Sequence, residues 1–169
     1  MLYICFLVDH LSDNLSRKAI DEEYYLRFPS VLKKALLERK VVFGDHVFYK
    51  YEPIRAYRII KRKSGDTTPI QLNDFKSYME QLNDRGNSRS RYINENDISS
   101  YSCSFFNDLA SLEKKFKGAS HIPNSNHYKI IEGYVKDDYG PCDMNEKTKH
   151  IDLWLYDMCD PSLEFKVLS

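Results

Sequence analysis

Aliphatic residues recur at every second position from 151 to 155 within residues 150–157. Ile151, Leu153 and Leu155 fall on one parity; His150, Asp152, Trp154 and Tyr156 fall on the other. Successive side chains of a strand point to opposite faces, so a strand with one aliphatic face is predicted. The other face would carry an imidazole, a carboxylate, the only tryptophan of the chain and a phenol. Solvated strand faces favour Thr, Lys, Glu and Ser, so this face is expected to touch something other than water.

The same reading, carried along the chain, predicts the remaining elements. Residues 2–8 form an apolar run of strand length,. Residues 12–28 place Leu15, Ala19, Ile20 and Tyr24 at helical spacing behind Ser12, Asp13 or Asn14 as caps,. Pro29 ends that helix, and a second over residues 30–40 has Val31, Ala35 and Leu36 on one side,. Residues 40–62 are β-branched and aromatic, broken at Gly44-Asp45 and at Pro53. They predict two or three strands with a hairpin-like turn at residues 43–46,. A turn at 63–66 leads into residues 69–84, where Leu72, Phe75, Met79 and Leu82 recur at spacings of three and four, as in an amphipathic helix,.

Residues 83–102 are polar and aperiodic and predict a loop,. Residues 105–118 predict a helix with Asn107 as N-cap and Gly118 just past its end,. A strand at 127–135, a turn region at 136–149, the opening strand and a short strand within 163–168 complete the set. The order predicts an α+β fold: a twisted, mainly antiparallel sheet with three to four helices and a helical N-terminal part. The 169 residues suit a single domain spanning 1–169, with no repeat or linker to divide it,.

Composition narrows the function classes. Thirteen Tyr and nine Phe exceed what packing needs and suggest wet interfaces or half-buried sheet faces,. Lys+Arg and Asp+Glu both number 25, which argues against a dedicated DNA-wrapping protein and against an acidic DNA mimic,. Cys5, Cys103, Cys142 and Cys159 show no CxxC or zinc-finger spacing. No secretory leader and no stretch of membrane-spanning length is seen. A cytoplasmic protein with reduced thiols and no membrane partner is therefore expected.

Several constellations could carry chemistry. His150 and Asp152, two apart on one strand face, suit a general base and its carboxylate, or a packed structural pair,. His121 and His127 flank a segment without zinc-ligand spacing, so no metal site is expected,. Arg85, Arg89 and Arg91 beside Tyr92, and the run Lys61–Lys63, could grip phosphate but are dispersed among acids, which makes nucleic acid an unfavoured partner,. Arg58, set among Ile54, Ala56, Ile59 and Ile60, is an anion-binding candidate or one half of a salt bridge,.

Tyr57-Arg58, then Ser102-Cys103-Ser104, then Glu132 in "IIEGYV" form an ordered set. It resembles the arginine-first branch of the ADP-ribosyltransferase fold. That resemblance implies Arg58 on an NAD phosphate or ribose, Ser102 or Ser104 in a nicotinamide pocket, and Glu132 as catalytic carboxylate. Cys103 stands where the family has threonine, and no second glutamate accompanies Glu132. In size and general look the chain is also similar to small bacterial toxin-immunity proteins. The expectation is a protein-binding module of that immunity or defence type, which neutralises or regulates a partner protein and uses no cofactor. Its recognition residues would be His150, Asp152, Trp154, Tyr156, Arg89 and Arg91. The alternative is an NAD-using ADP-ribosyltransferase-like enzyme.

Overall fold

The computed structural model describes residues 23–63, 65–86, 93–117 and 127–168. The predicted strand at 2–8, most of the helix at 12–28, and Arg89, Arg91, His121 and Gly118 lie outside them. Within the described residues the fold is α+β, built on a six-stranded antiparallel sheet. Its strands are β1 (Ile54–Lys61), β2 (Cys103–Phe106), β3 (Tyr128–Val135), β4 (Cys142–Asn145), β5 (His150–Leu153) and β6 (Lys166–Val167). Their spatial order is β4-β5-β2-β1-β3-β6. The helices are α1 (Ser30–Leu37), α2 (Tyr78–Asp84) and α3 (Leu109–Lys117), and residues 23–25 are also helical.

Alternation gives the sheet two unlike faces. Ala56, Ile60, Cys103, Phe105, Ile131, Val135, Cys142, Ile151 and Leu153 line the first. It is closed by Phe75 from the 3-10 turn Leu72–Phe75 and by Phe165, which follows the 3-10 turn Pro161–Glu164. On the second face α3 sits over the centre, with Leu112 against Tyr57 and Phe106. A third cluster packs α1, through Leu32, Ala35 and Leu36, against Phe28, Val41, Val47, Tyr101, Trp154 and Tyr156.

Four local expectations are corrected. Residues 40–53 form no hairpin. The turn at Gly44 closes (Val47 N–H to Gly44 O, 3.1 Å), but Val41 and Val47 are drawn into the α1 cluster and Phe48 pairs instead with Cys142. The helix expected over 69–84 is two elements. Ser77 and Glu80 form a reciprocal capping box that restarts the chain as α2 after the 3-10 turn,. At α3 the cap is Asp108, whose carboxylate accepts the Ser111 N–H at 2.8 Å, and not Asn107. The region 136–149 contains β4. Asn145 Oδ1 accepts the N–H groups of Lys147 and Thr148, both at 3.0 Å, and Lys149 takes a left-handed φ of 60°, so the chain returns directly into β5,.

Candidate functional site

The register brings one row across the second face. Asn145 pairs with His150, His150 with Phe106, Phe106 with Tyr57, Tyr57 with Glu132, and Glu132 with Lys166. One step along the strands, Asp143 pairs with Asp152 and Asp152 with Ser104 on the same face. α3 covers the middle of these rows and leaves a polar flank at either end.

The β2–β5 flank holds a connected set of groups. Ser104 Oγ lies 2.5 Å from His150 Nε2, and His150 Nδ1 lies 3.4 Å from Asp152 Oδ2. The second oxygen of Asp152 accepts from the buried Ser102 hydroxyl, which also lies 2.8 Å from the Ser99 carbonyl. The Phe106 ring meets the imidazole edge to face, with centroids 5.0 Å apart. The side chains of His150 and Asp152 keep 29% and 18% exposure, so the set is packed yet reachable. A hydroxyl on one ring nitrogen and a carboxylate on the other is the arrangement that lets imidazole take a proton from serine.

Arg58 and Glu132 do not converge. Arg58 is the partner of Ile131 and lies on the first face, over the Phe105 ring, whereas Glu132 is the partner of Tyr57 on the second. The Arg58 guanidinium donates to the carbonyls of Asp74 (2.9 Å) and Ser104 (2.7 Å), in place of the expected carboxylate. β1 and β2 are in register only at Tyr57–Phe106, so Arg58 bonds the β2 carbonyl where that pairing stops. Glu132 instead bonds Arg55 at 2.8 Å and faces Lys166 at 3.3 Å. The Arg55 hydrogen bond holds its carboxyl below the usual range, with burial opposing and Lys166 assisting. Ser102 and Ser104 thus join His150 and Asp152, not Arg58 and Glu132.

Trp154 and Tyr156 are not a recognition face either. β5 ends at Leu153; Trp154 is 2% exposed and Tyr156 is buried beside it. Trp154 Nε1 donates to Ile98 O at 2.9 Å, and Arg27 stacks 3.7 Å above the Tyr156 ring. Exposed apolar side chains lie elsewhere, among them Met158 and Leu163 near the C-terminal end and Val42, Phe48 and Tyr49 in the segment preceding β1. Burial pushes the Cys142 thiol up to about 11 and the Cys103 thiol to about 12, which leaves both poor nucleophiles,. Among the described residues no group of three or more His, Cys, Asp or Glu could hold a metal ion. No helix among them is long and apolar enough to cross a membrane. No family model, curated protein or solved structure matches the chain.

Proposed function

We propose that this protein is an enzyme that activates a serine hydroxyl. Ser104 is the nucleophile, His150 its base, and Asp152, steadied by Ser102, the group that orients the imidazole. The observation that carries this reading is the Ser104 hydroxyl at one ring nitrogen of His150, 2.5 Å from Nε2, with the Asp152 carboxylate 3.4 Å from the other. The nearby carboxylate favours the tautomer that carries its proton on Nδ1, which leaves Nε2 able to accept the serine proton,. NAD-dependent transfer has less support, because the arginine and glutamate it needs occupy opposite faces. The test is labelling by a neutral phosphonofluoridate, which reacts with activated serines. The native protein should be labelled and Ser104→Ala should not; His150→Gln should slow labelling by about 10²–10⁴, the usual range for a general base. Equal labelling of native protein and Ser104→Ala, or no labelling of either, would overturn the reading.

A second reading keeps the immunity-type binding module. The exposed Val42, Phe48 and Tyr49, close together in the chain, favour it, since apolar and aromatic side chains left at the surface suit a partner interface,. A Val42→Ser/Tyr49→Ser variant with native stability should lose capture of its protein partner. Unchanged capture would remove that surface from consideration. The thiols of Cys103, Cys142 and Cys159 are free, which supports a reducing, cytoplasmic location under either reading,.

A further inference from the structure

We infer that the group Ser104 accepts is a carboxylic acyl group from an ester that carries a positive charge, and not a phosphoryl group; this rests on Ser104 being the nucleophile proposed above. The argument is the sign of the charge around the hydroxyl. Asp152 stands on the neighbouring strand, directly across from Ser104, and Asp143 stands on the next, directly across from Asp152. All three side chains share one face. With strands 4.7–4.9 Å apart, the Asp143 and Ser104 backbones are roughly 10 Å apart, a distance that a short aliphatic chain ending in a cation spans. The Asp143 side chain is 27% exposed, with the His46 imidazole 3.3 Å from its carboxylate. Asp152 has one oxygen on the Ser102 hydroxyl and the other 3.4 Å from His150 Nδ1, whereas Asp143 contacts His46 and not the Ser104–His150 pair.

Among the described residues, two cations that could welcome a phosphate, Lys149 and Arg58, are engaged elsewhere. Lys149, next to His150 in the chain, lies 3.1 Å from Glu146. Arg58 touches the Ser104 residue only through its carbonyl, from the opposite face. A phosphoryl dianion brought to Ser104 would meet Asp152 and Asp143 without a counter-charge from either of these. Phosphoryl transfer depends on cationic stabilisation of that charge. A carbonyl carbon makes no such demand on approach, and a cationic acyl chain is drawn toward Asp143.

The chemistry balances without a co-reactant beyond water. Ser104 Oγ bonds the carbonyl carbon as its proton passes to His150 Nε2. The ester C–O bond then breaks, and the departing alkoxide takes that proton. Water adds to the acyl-serine, losing a proton to Nε2, and Oγ leaves with it, which restores the site and releases the acid.

The experiment uses four p-nitrophenyl compounds on the full chain: the acetate, the 4-(trimethylammonio)butyrate, the hemisuccinate and the phosphate. In 20 mM salt, kcat/KM for the cationic ester should exceed that for the anionic ester at least tenfold, and the phosphate should not turn over. The ratio should shrink in 500 mM salt, where charges are screened, and fall toward one in Asp143→Asn. A native ratio near one, or phosphate turnover above that of the acetate, would overturn the substrate class. Phosphonofluoridate labelling separates the two failures. Labelling of Ser104 with a ratio near one overturns the substrate class alone. Absence of labelling removes the nucleophile and the inference with it.

Discussion

Replacement of Trp154 by alanine tests whether the α1 cluster holds the molecule together. The indole is the largest fully buried side chain, packed edge-on to Phe43 with centroids 5.2 Å apart, and its N–H satisfies the Ile98 carbonyl. Removing a buried Trp or Phe side chain costs about 3–5 kcal/mol in lost transfer energy and cavity formation. The orphaned carbonyl adds about 1–3 kcal/mol of uncompensated desolvation. Domains of this kind are stable by only about 5–15 kcal/mol, so Trp154→Ala should leave a marginal fold. Trp154→Phe keeps a ring and loses mainly the hydrogen bond, so it should fall between alanine and native. The assay is urea denaturation followed by far-UV circular dichroism, because the substitution removes the only tryptophan reporter. A loss below about 1 kcal/mol with an unchanged urea slope would refute the packing argument, since an exposed Trp154 would behave that way.

Other outcomes follow from single contacts. Gly140 has φ 147°, and a Cβ there would lie 1.9 Å from the Trp154 carbonyl, so Gly140→Ala should abolish soluble folded protein; a native melting curve would refute it. Arg62 and Asp74 form a doubly bonded, nearly buried ion pair at 2.8 and 2.6 Å, and Arg62→Met, which strands the carboxylate, should cost about 3–5 kcal/mol in urea,. The carboxyls of Glu132, Asp108 and Asp66 are held below their ordinary values, chiefly by hydrogen bonds. Their stabilisation is therefore present above the unfolded values near about 4 and lost as pH falls through the folded ones,. Burial raises Tyr24 and Tyr51, whose contribution is whole below about pH 10 and declines above it,. The buried thiols of Cys103 and Cys142 are raised likewise, so their contribution declines above about pH 8.5; the melting temperature should thus be flat from about pH 5 to 8 and fall on both sides, and a rise below pH 4 would contradict the assignment,. Iodoacetamide at pH 8 should leave Cys103 and Cys142 unmodified until urea is added, as read by peptide mass spectrometry.

The elements that were legible in the sequence are those whose period is undisturbed by tertiary contacts. β3 reads as a strand because aromatic and β-branched residues dominate it (Tyr128, Ile130, Ile131, Tyr134, Val135), and α1 because Ala35 and Leu36 recur behind Pro29. Residues 40–53 misled because β-branched and aromatic residues suit a pleated surface as well as a loop folded into an aromatic cluster. The break within 69–84 was written in Ser77 and Glu80, a capping box hidden inside a longer amphipathic pattern. The parity of residues 150–157 described β5 correctly for His150 through Leu153. Past that point Trp154 N–H bonds Pro141 O, Tyr156 N–H bonds Tyr139 O, and the two aromatics turn under α1.

The candidate site was legible as residues and illegible as a pairing. His150 and Asp152 announce their shared face by a spacing of two, whereas Ser104 joins them only through the β2–β5 register. In a sheet with period two, a slip of one residue carries a side chain to the other face. Tyr57 opposite Glu132 therefore sends Arg58 and Glu132 apart, and it puts Arg55, the partner of Tyr134, on the same face as Glu132, where the two form an ion pair. Had Arg58 been the partner of Glu132, arginine and glutamate would share a face as an ADP-ribosyl-type pocket requires. No local pattern in either strand reveals that difference, because both strands keep their alternation under either register. The serine follows the same rule in the opposite direction. Ser104 opposite Asp152 sets its hydroxyl on the face of His150, whereas Cys103 in that register position would have offered a thiol and sent both serines into the aliphatic core beside Ile151 and Leu153. Burying two hydroxyls there without partners would cost more than the aliphatic packing lost from Cys103, and that penalty holds the Ser104–His150 pairing in place.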